Sequence, residues 1–175
     1  MNCLELEEID LPEGLLRIEH NAFHDCHSLK RINLPSTLEE IGHSAFRSCE
    51  KLDGITLPEG LQRLGRYVFC SCNSLQSINV PPNIETIKDS TFIFCQALTN
   101  VSFSEGLQII EEDGFSRCTS LVSVSLPSTL KVIGKEAFEG CKRLNEIHTY
   151  DAIETIETEA FNDCNFTNFR IPPSI

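Results

Sequence analysis

Cysteine is the residue type in this chain with the widest range of chemistry, since thiolates bind zinc, form disulfides and act as nucleophiles. Eight of the nine cysteines recur at a fixed interval of 23 residues, from Cys3 to Cys164. Zinc sites pair ligands only two to four residues apart, so this spacing does not suit one. Equivalent positions also point the same way, which disfavours bridging. We therefore expect reduced, buried thiols packed as small apolar groups in one column.

Cys70 is the ninth cysteine and lies two residues before Cys72. In the other repeats, the position equivalent to Cys70 is held by His24, Arg47, Ile93, Ser116 and Glu139. Because most of these side chains are polar, we expect Cys70 to face outward. It is then the thiol with the highest expected reactivity.

Histidines form a weaker candidate site. His20 and His43 are 23 residues apart and occupy equivalent positions, so their side chains are expected to lie close together. Two imidazoles suit a transition metal, but only Asp25 or Glu19 is available as a third ligand. A pair of stacked, exposed histidines is the favoured interpretation.

Carboxylates form the other candidate cluster, at Glu111-Glu112-Asp113, with Asp89 one repeat earlier and Glu136 one repeat later. Adjacent carboxylates are calcium ligands. Two lysines, Lys88 and Lys135, flank the same region, and no D-x-D-x-D-G loop is present. The pattern favours a solvated acidic edge over a metal site.

Catalytic motifs are absent from the sequence. There is no G-x-S-x-G, no H-E-x-x-H and no glycine-rich phosphate loop. The cysteines near histidines belong mostly to the buried column, and a buried thiol is a poor nucleophile. We predict no enzymatic activity, no metal and no cofactor.

The elements that position these residues follow from the same period. Phenylalanine also recurs every 23 residues, at Phe23, Phe46, Phe69, Phe92, Phe115, Phe138 and Phe161. A fixed period over this length is typical of a solenoid, in which one short coil stacks on the next. Each coil buries its apolar side chains only against its neighbours.

One repeat shows how a coil is built. Ile32-Asn33-Leu34 alternates apolar and polar residues, as a strand with one buried face does. Pro35 ends the strand because it cannot donate to a ladder. Gly42 fits a tight turn that needs positive φ. Ala45-Phe46 and Cys49 are expected to close the coil in a short helical or 3₁₀ turn.

The repeated pattern L-x-x-I-x-L-P-x-x-L-x-x-I-G-x-x-A-F-x-x-C resembles the BspA-like, or Treponema-type, leucine-rich repeat family. The resemblance implies a right-handed α/β solenoid of about seven 23-residue coils, with a parallel sheet on one face and short helical or 3₁₀ turns opposite. It also implies a surface or secreted location and an adhesin-like binding function, since family members are often described as adhesins.

Composition limits the partners. The net charge is −12, with 26 acidic against 14 basic residues. Such a chain is a poor binder of nucleic acid or of anionic membrane surfaces. No apolar run approaches the ~20 residues of a membrane span, and no signal peptide is visible, so a cytoplasmic location stays open. Residues 1–175 read as one array that starts in mid-repeat and lacks polar end caps, which predicts a longer array or end-to-end self-association.

Binding is expected on the outward side of the predicted strands, where the middle is polar and uncharged. Amide and hydroxyl groups there suit a protein or a glycan. The predicted partner-binding residues are Lys30, Arg31, Asn33, Gln76, Asn79, Thr99, Asn100, Ser102, Ser123, Asn145 and His148. The alternative is an intracellular scaffold that binds a basic protein through the acidic edge.

Overall fold

The computed structural model describes residues 3–166, which wind into a solenoid of short parallel strands. Each coil of 23 residues contributes one strand to each of two ladders, except that the third coil has no strand in the first ladder. The first ladder contains β1 (Glu8–Asp10), β3 (Arg31–Asn33), β6 (Ser77–Val80), β8 (Asn100–Phe103), β10 (Ser123–Ser125) and β12 (Glu146–His148). The second ladder contains β2 (Arg17–Ile18), β4 (Glu40–Ile41), β5 (Arg63–Leu64), β7 (Thr86–Ile87), β9 (Ile109–Ile110), β11 (Val132–Ile133) and β13 (Thr155–Ile156).

The register of both ladders follows the period of the sequence. Ile9 lies opposite Ile32 in the first ladder, and Ile110 lies opposite Ile133 in the second. In the third coil the first ladder continues as a single bridge from Gly54 to Arg31. The chain therefore makes about six complete turns between β1 and β12. With the bridge at Gly54 counted, six turns correspond to the seven predicted strand positions of the first ladder.

A column of stacked phenylalanines runs through the core. Successive rings from Phe23 to Phe161 have centroids 5.0–5.6 Å apart and planes within 12° of parallel. The five rings from Phe46 to Phe138 are fully buried. Leucines, isoleucines and cysteines of every coil pack around this column, so one core extends through the described part of the solenoid.

The predicted helical or 3₁₀ turns are wrong, because residues 3–166 contain no helix. Around Phe46, alternate N–H groups bond in different directions. Ala45 N donates to Gly42 O at 3.3 Å within the turn, whereas Phe46 N donates to Val68 O at 3.0 Å in the next coil. Since only every second N–H bonds locally, the i→i−3 ladder of a 3₁₀ helix cannot form.

Two positions of each turn carry positive φ, which also interrupts a helix. In the second coil they are Ser44, at 53°, and Ser48, at 59°. The equivalent non-glycine residues are Asn21, Asp25, Tyr67, Ser71, Ser90, Phe94, Asp113, Arg117, Glu136, Glu159 and Asp163. Asparagine and aspartate are enriched in left-handed conformations, whereas Tyr67 and Phe94 are bulky exceptions.

Gly42 has a different role from the predicted one, because its φ is not positive. A Cβ atom placed there would lie 2.8 Å from the backbone nitrogen of His20 in the preceding coil. Glycine is needed because the two backbones approach too closely for a side chain.

Candidate binding surfaces

The predicted partner-binding residues all lie on the first ladder or directly before one of its strands. Lys30 is half-buried, and the other ten are exposed. The residues between them, such as Ile32, Ile78 and Val101, point into the core. The structure therefore brings the predicted set together on one outward surface, which we call the strand face.

Side chains on the strand face contact their equivalents in adjacent coils. Lys30 Nζ lies 2.8 Å from Glu7 Oε2, and this contact lowers the pKa of the Glu7 carboxyl. In the middle of the face, Ser102 Oγ donates to Asn79 Oδ1 at 2.8 Å. Charged pairs thus lie near the first coils, while hydroxyl and amide groups occupy the centre.

The recessed parts of the surface lie elsewhere, along the second ladder. Three cavities of about 920, 580 and 470 Å³ follow this side of the solenoid. None of the predicted partner-binding residues lines any of them. Sequence reasoning missed these recesses because they depend on the spacing between coils rather than on a motif.

The largest cavity lies where the second ladder is interrupted. Strands β2, β4 and β5 form one hydrogen-bonded group, and β7, β9, β11 and β13 form another. Within residues 3–166 no hydrogen bond joins β5 to β7. Both strands line the cavity, which we call the β5–β7 gap.

Two larger buried side chains accompany this gap. Val68 and Thr91 are fully buried at a position held in other coils by Ala22, Ala45, Gly114, Ala137 and Ala160. Thr91 Oγ1 donates to Lys88 O at 2.7 Å. Two β-branched residues thus replace the usual alanine or glycine in the two coils that border the gap.

The two coils remain paired on the far side of the turn. Tyr67 N donates to Asp89 O at 3.1 Å, and Phe69 N donates to Thr91 O at 2.9 Å. The gap is therefore a local opening of the second ladder and not a separation of the coils.

The predicted proximity of His20 and His43 is confirmed, with ring centroids 4.7 Å apart. His43 N donates to His20 Nδ1 at 2.9 Å, and Arg66 N donates to His43 Nδ1 at 3.0 Å. Each Nδ1 is an acceptor, so the ring carries its proton on Nε2. The imidazoles thus cap backbone N–H groups of the next coil, which leaves Nδ1 unavailable to a metal.

Carboxylates cap equivalent N–H groups in later coils. Asp89 N donates to Glu111 Oε2 at 2.9 Å, and Lys135 N donates to Glu157 Oε2 at the same distance. One of the three predicted acidic residues at 111–113 therefore has a structural role.

The acidic edge has a different composition from the predicted cluster. Among residues 3–166, carboxylate oxygens of Asp113, Glu136 and Glu139 lie within 4.8 Å of one another. Glu139 was missed because it follows Phe138 in the sequence, far from the 111–113 run. Burial and the nearby Glu136 raise the pKa of Asp113, with a hydrogen bond from Ser116 opposing them.

Cations balance this cluster. Lys135 Nζ lies 2.8 Å from Glu136 and 2.9 Å from Glu112, and Arg117 lies 2.9 Å from Glu139. The arrangement is a network of ion pairs at the surface.

None of the nine cysteines, all of which lie within residues 3–166, forms a disulfide. The column is buried from Cys26 to Cys141, whereas Cys164 is half-buried and Cys3 is exposed. The prediction that Cys70 faces outward is wrong, since its side chain is only 6% exposed. Ser116, at the equivalent position two coils later, is also buried, whereas Ile93 in the coil between them is half-buried, so exposure at this position varies from coil to coil.

Burial raises the pKa of the column thiols, to about 12 for Cys49 and Cys164. Burial also raises the pKa values of the fully buried Cys72 and Cys118 well above the ordinary value. These thiols therefore stay protonated and unreactive near neutral pH.

The sequence matches the BspA type leucine rich repeat region, in six copies over residues 1–122 and 108–175. The chain belongs to this leucine-rich repeat family. Proteins of this kind generally mediate protein binding and are generally non-enzymatic, and the matches indicate no catalytic family. No protein with a curated description matches the chain.

Solved structures agree with the fold. A leucine-rich repeat protein from Eubacterium ventriosum is 28% identical with a TM-score of 0.87, over 93% of this chain and 44% of its own. The chain thus spans less than half of that protein. The T. pallidum leucine rich repeat protein is 35% identical with a TM-score of 0.77, over 81% of this chain and 68% of its own.

A third solved structure shares the fold alone. The pneumococcal vaccine antigen PcpA is 21% identical with a TM-score of 0.50, over 98% of this chain and 62% of its own. Separately, the described residues include no helix that is long and apolar enough to cross a bilayer.

Proposed function

We propose that this chain is a non-enzymatic binding module that holds a protein or glycan ligand on the strand face. The observation that carries the proposal is the row of exposed polar side chains, kept in register by the 23-residue period. Solenoids commonly bind partners on such extended surfaces.

The centre of the strand face suits hydrogen bonding more than ion pairing. Asn79, Asn100 and Ser102 are exposed and uncharged, and Ser123 continues the row one coil later. Amides and hydroxyls both donate and accept, and they lose less hydration energy on contact than charged groups do. A glycan or a polar protein loop fits this chemistry.

We further propose display at the cell surface or secretion, in the manner of an adhesin. The resemblance to BspA-like repeats supports this location. Self-association through the ends of the array is a related proposal, since stacked repeats present apolar edges when they are not capped.

A second candidate is an intracellular scaffold that binds a basic partner through the acidic edge. It is favoured by the cavity of about 580 Å³, whose lining holds five carboxylates and one cation, Arg66; the carboxylates are those of Asp89, Glu111, Glu112, Asp113 and Glu157. Local negative potential in a recess attracts cationic groups.

The experiment compares two triple variants on glycan arrays and in binding assays with candidate surface proteins. The test variant carries Asn79→Arg, Asn100→Arg and Ser102→Arg on the strand face. The control carries Gln96→Arg, Thr158→Arg and Asn162→Arg, which are exposed outside that face. Both triples change the net charge equally, so they separate position from charge.

We expect the strand-face variant to lose binding by at least about tenfold, because bulky charges replace hydrogen-bonding groups, while the control binds normally. Equal binding by both variants would reject the strand face as the site. Loss of a basic partner only in a Glu112→Gln, Glu157→Gln variant would favour the scaffold instead.

A further inference from the structure

We infer that the β5–β7 gap receives an extended peptide segment of a partner protein, which adds a strand to the second ladder. This site lies on a different ladder from the strand face and does not depend on the function proposed for that face. The gap would recognise this peptide through hydrogen bonds to its main chain and through one acidic side chain.

The main-chain groups at the gap show what is missing there. In the next coil, Gln108 N and Ile109 N donate to Glu85 O at 2.8 and 3.2 Å, and Glu111 N donates to Ile87 O at 2.8 Å. These three bonds form the usual connection between coils on this side.

The equivalent groups one coil earlier make no such bonds. Within the described residues, the N–H groups of Glu85, Thr86 and Lys88 have no hydrogen-bond acceptor, and the carbonyls of Gln62 and Leu64 have no donor. All five residues line the cavity of about 920 Å³. An extended peptide carries alternating donors and acceptors, which is the complement of two open strand edges.

Two charged side chains that line the gap, Arg66 and Glu85, form no ion pair within residues 3–166, and Arg66 offers an anchor for an acidic residue of the peptide. Arg63 is paired with Glu40 at 2.7 Å, and Lys88 lies 3.3 Å from Glu111. The guanidinium of Arg66 makes no hydrogen bond or ion pair within residues 3–166, although it is exposed at the rim of the cavity. An unpaired guanidinium binds a carboxylate through two parallel hydrogen bonds.

Backbone groups are the hydrogen-bonding partners that the gap offers to a ligand. Ile41, Leu64 and Ile84 border the cavity, and each is at most 4% exposed. Strand addition depends on backbone hydrogen bonds, which the open N–H and carbonyl groups supply.

Another interruption of hydrogen bonding shows why the gap is distinctive. The first ladder is also broken between β8 and β10, but those strands remain in contact and none of the three cavities lies there. The β5–β7 gap combines open backbone groups with space for a ligand.

The test begins with a library of short random peptides displayed on phage and selected on the intact chain. The best peptide is then synthesised in two forms, one unmodified and one N-methylated at alternate residues. We expect the methylated form to bind at least about tenfold more weakly, because it cannot donate along one edge. Equal binding of the two forms would overturn strand addition.

Amide hydrogen exchange locates the peptide. In the free protein, the amides of Glu85, Thr86 and Lys88 should exchange faster than those of Gln108 and Ile109, which are hydrogen-bonded. The unmodified peptide should slow exchange at the first three. Protection confined to the strand face, or equal exchange in the free protein, would overturn the assignment.

Charge variants test the anchor. Arg66→Glu should weaken binding by about tenfold or more, and Arg66→Lys by less, because lysine keeps the charge but not the paired hydrogen bonds. Arg143→Glu is the control, since Arg143 is exposed far from the gap. Unchanged binding by Arg66→Glu would remove the proposed anchor.

The strand-face triple variant is the last control and should bind the selected peptide normally. Its failure would reject the gap without affecting the function proposed for the strand face. Failure to select any peptide, or selective binding of carboxylated sugars instead, would also overturn the inference.

Discussion

The thiol sulfur of Cys72 lies 3.2 Å from the carbonyl oxygen of Phe46 in the preceding coil. The same oxygen accepts a hydrogen bond from Cys49 N at 3.1 Å, so both of its acceptor positions are used. Cys95 makes the equivalent contact with Phe69 at 3.1 Å. The cysteine column therefore links successive phenylalanines and does more than fill space.

Replacing Cys72 by alanine should lower the free energy of unfolding by about 1–3 kcal/mol, because it removes the thiol donor and leaves a small cavity. Urea denaturation monitored by circular dichroism measures the change. Cys3→Ala is the control, since Cys3 is exposed and should change stability by about 0.5 kcal/mol or less. Equal effects of the two substitutions would contradict the structural role.

Thiol labelling should separate Cys3 from the column. We expect a thiol reagent to modify Cys3 quickly under native conditions, because Cys3 is exposed while the thiols from Cys26 to Cys141 are buried. The buried thiols should react only on unfolding. Mass spectrometry of timed samples counts the labels, and Cys3→Ser should abolish the rapid phase. Rapid labelling of Cys70 or of several column thiols would show that the coils open readily.

Alkaline pH should destabilise the fold. The thiols of Cys49 and Cys164 have folded-state pKa values of about 12, against an ordinary value of 9.0. Between these values the unfolded chain loses thiol protons that the folded chain keeps, so it binds fewer protons and becomes favoured as pH rises. The contribution of these thiols to the free energy of unfolding is fully present below pH 9.0 and is lost as the pH rises above it.

Each such thiol should contribute a loss of about 1.4 kcal/mol per pH unit in this window. Urea denaturation at several pH values between neutrality and the alkaline range, with a reductant present, gives the slope. In a Cys72→Val, Cys118→Val variant, the free energy of unfolding should fall less steeply with pH. The contributions of two thiols are then missing, and burial raises the pKa of both. An unchanged slope would mean that these two thiols have the same pKa in the unfolded chain as in the folded chain.

The stacking of coils was predictable because the period leaves no freedom of register. Phe46 and Cys49 recur without a shift, and only a parallel stack places all copies in equivalent environments. The structure confirms the parallel strands and the buried aromatic column. The strand-face residues could be named for the same reason, since Ile32 and Asn33 alternate inward and outward. Their binding role stays a prediction.

The turns could not be predicted in the same way. Ser44 and Ser48 adopt positive φ, but serine occurs in many conformations and gives no distinct signal. Local propensity predicts a helical turn here, but the hydrogen bonds between coils override that propensity. The sequence also indicates that phenylalanine replaces smaller residues in the final coil, at Phe166 and Phe169, before Ile171 and Ile175, and residues 167–175 lie outside the described part of the chain.

The β5–β7 gap left only an indirect trace in the sequence. Val68 and Thr91 replace the usual small residue in two adjacent coils. Their effect depends on how closely the coils approach, which a repeat pattern does not specify. Cys70 was assigned wrongly for a related reason, because exposure at its position changes along the solenoid.

Glycine substitutions test how closely the coils approach. A Cβ atom at Gly65 would lie 2.6 Å from His43 N and 2.7 Å from the carbonyl carbon of Gly42. These are backbone atoms that cannot move aside individually, so Gly65→Ala should lower the free energy of unfolding by about 2 kcal/mol or more.

At Gly54 a Cβ atom would meet nothing within 4 Å. Gly54→Ala should therefore raise stability by about 0.4–1 kcal/mol, because alanine has less conformational entropy to lose on folding. Denaturant midpoints of the two variants measure both effects, and a tolerated alanine at Gly65 would mean that the coils lie further apart there than the structure shows.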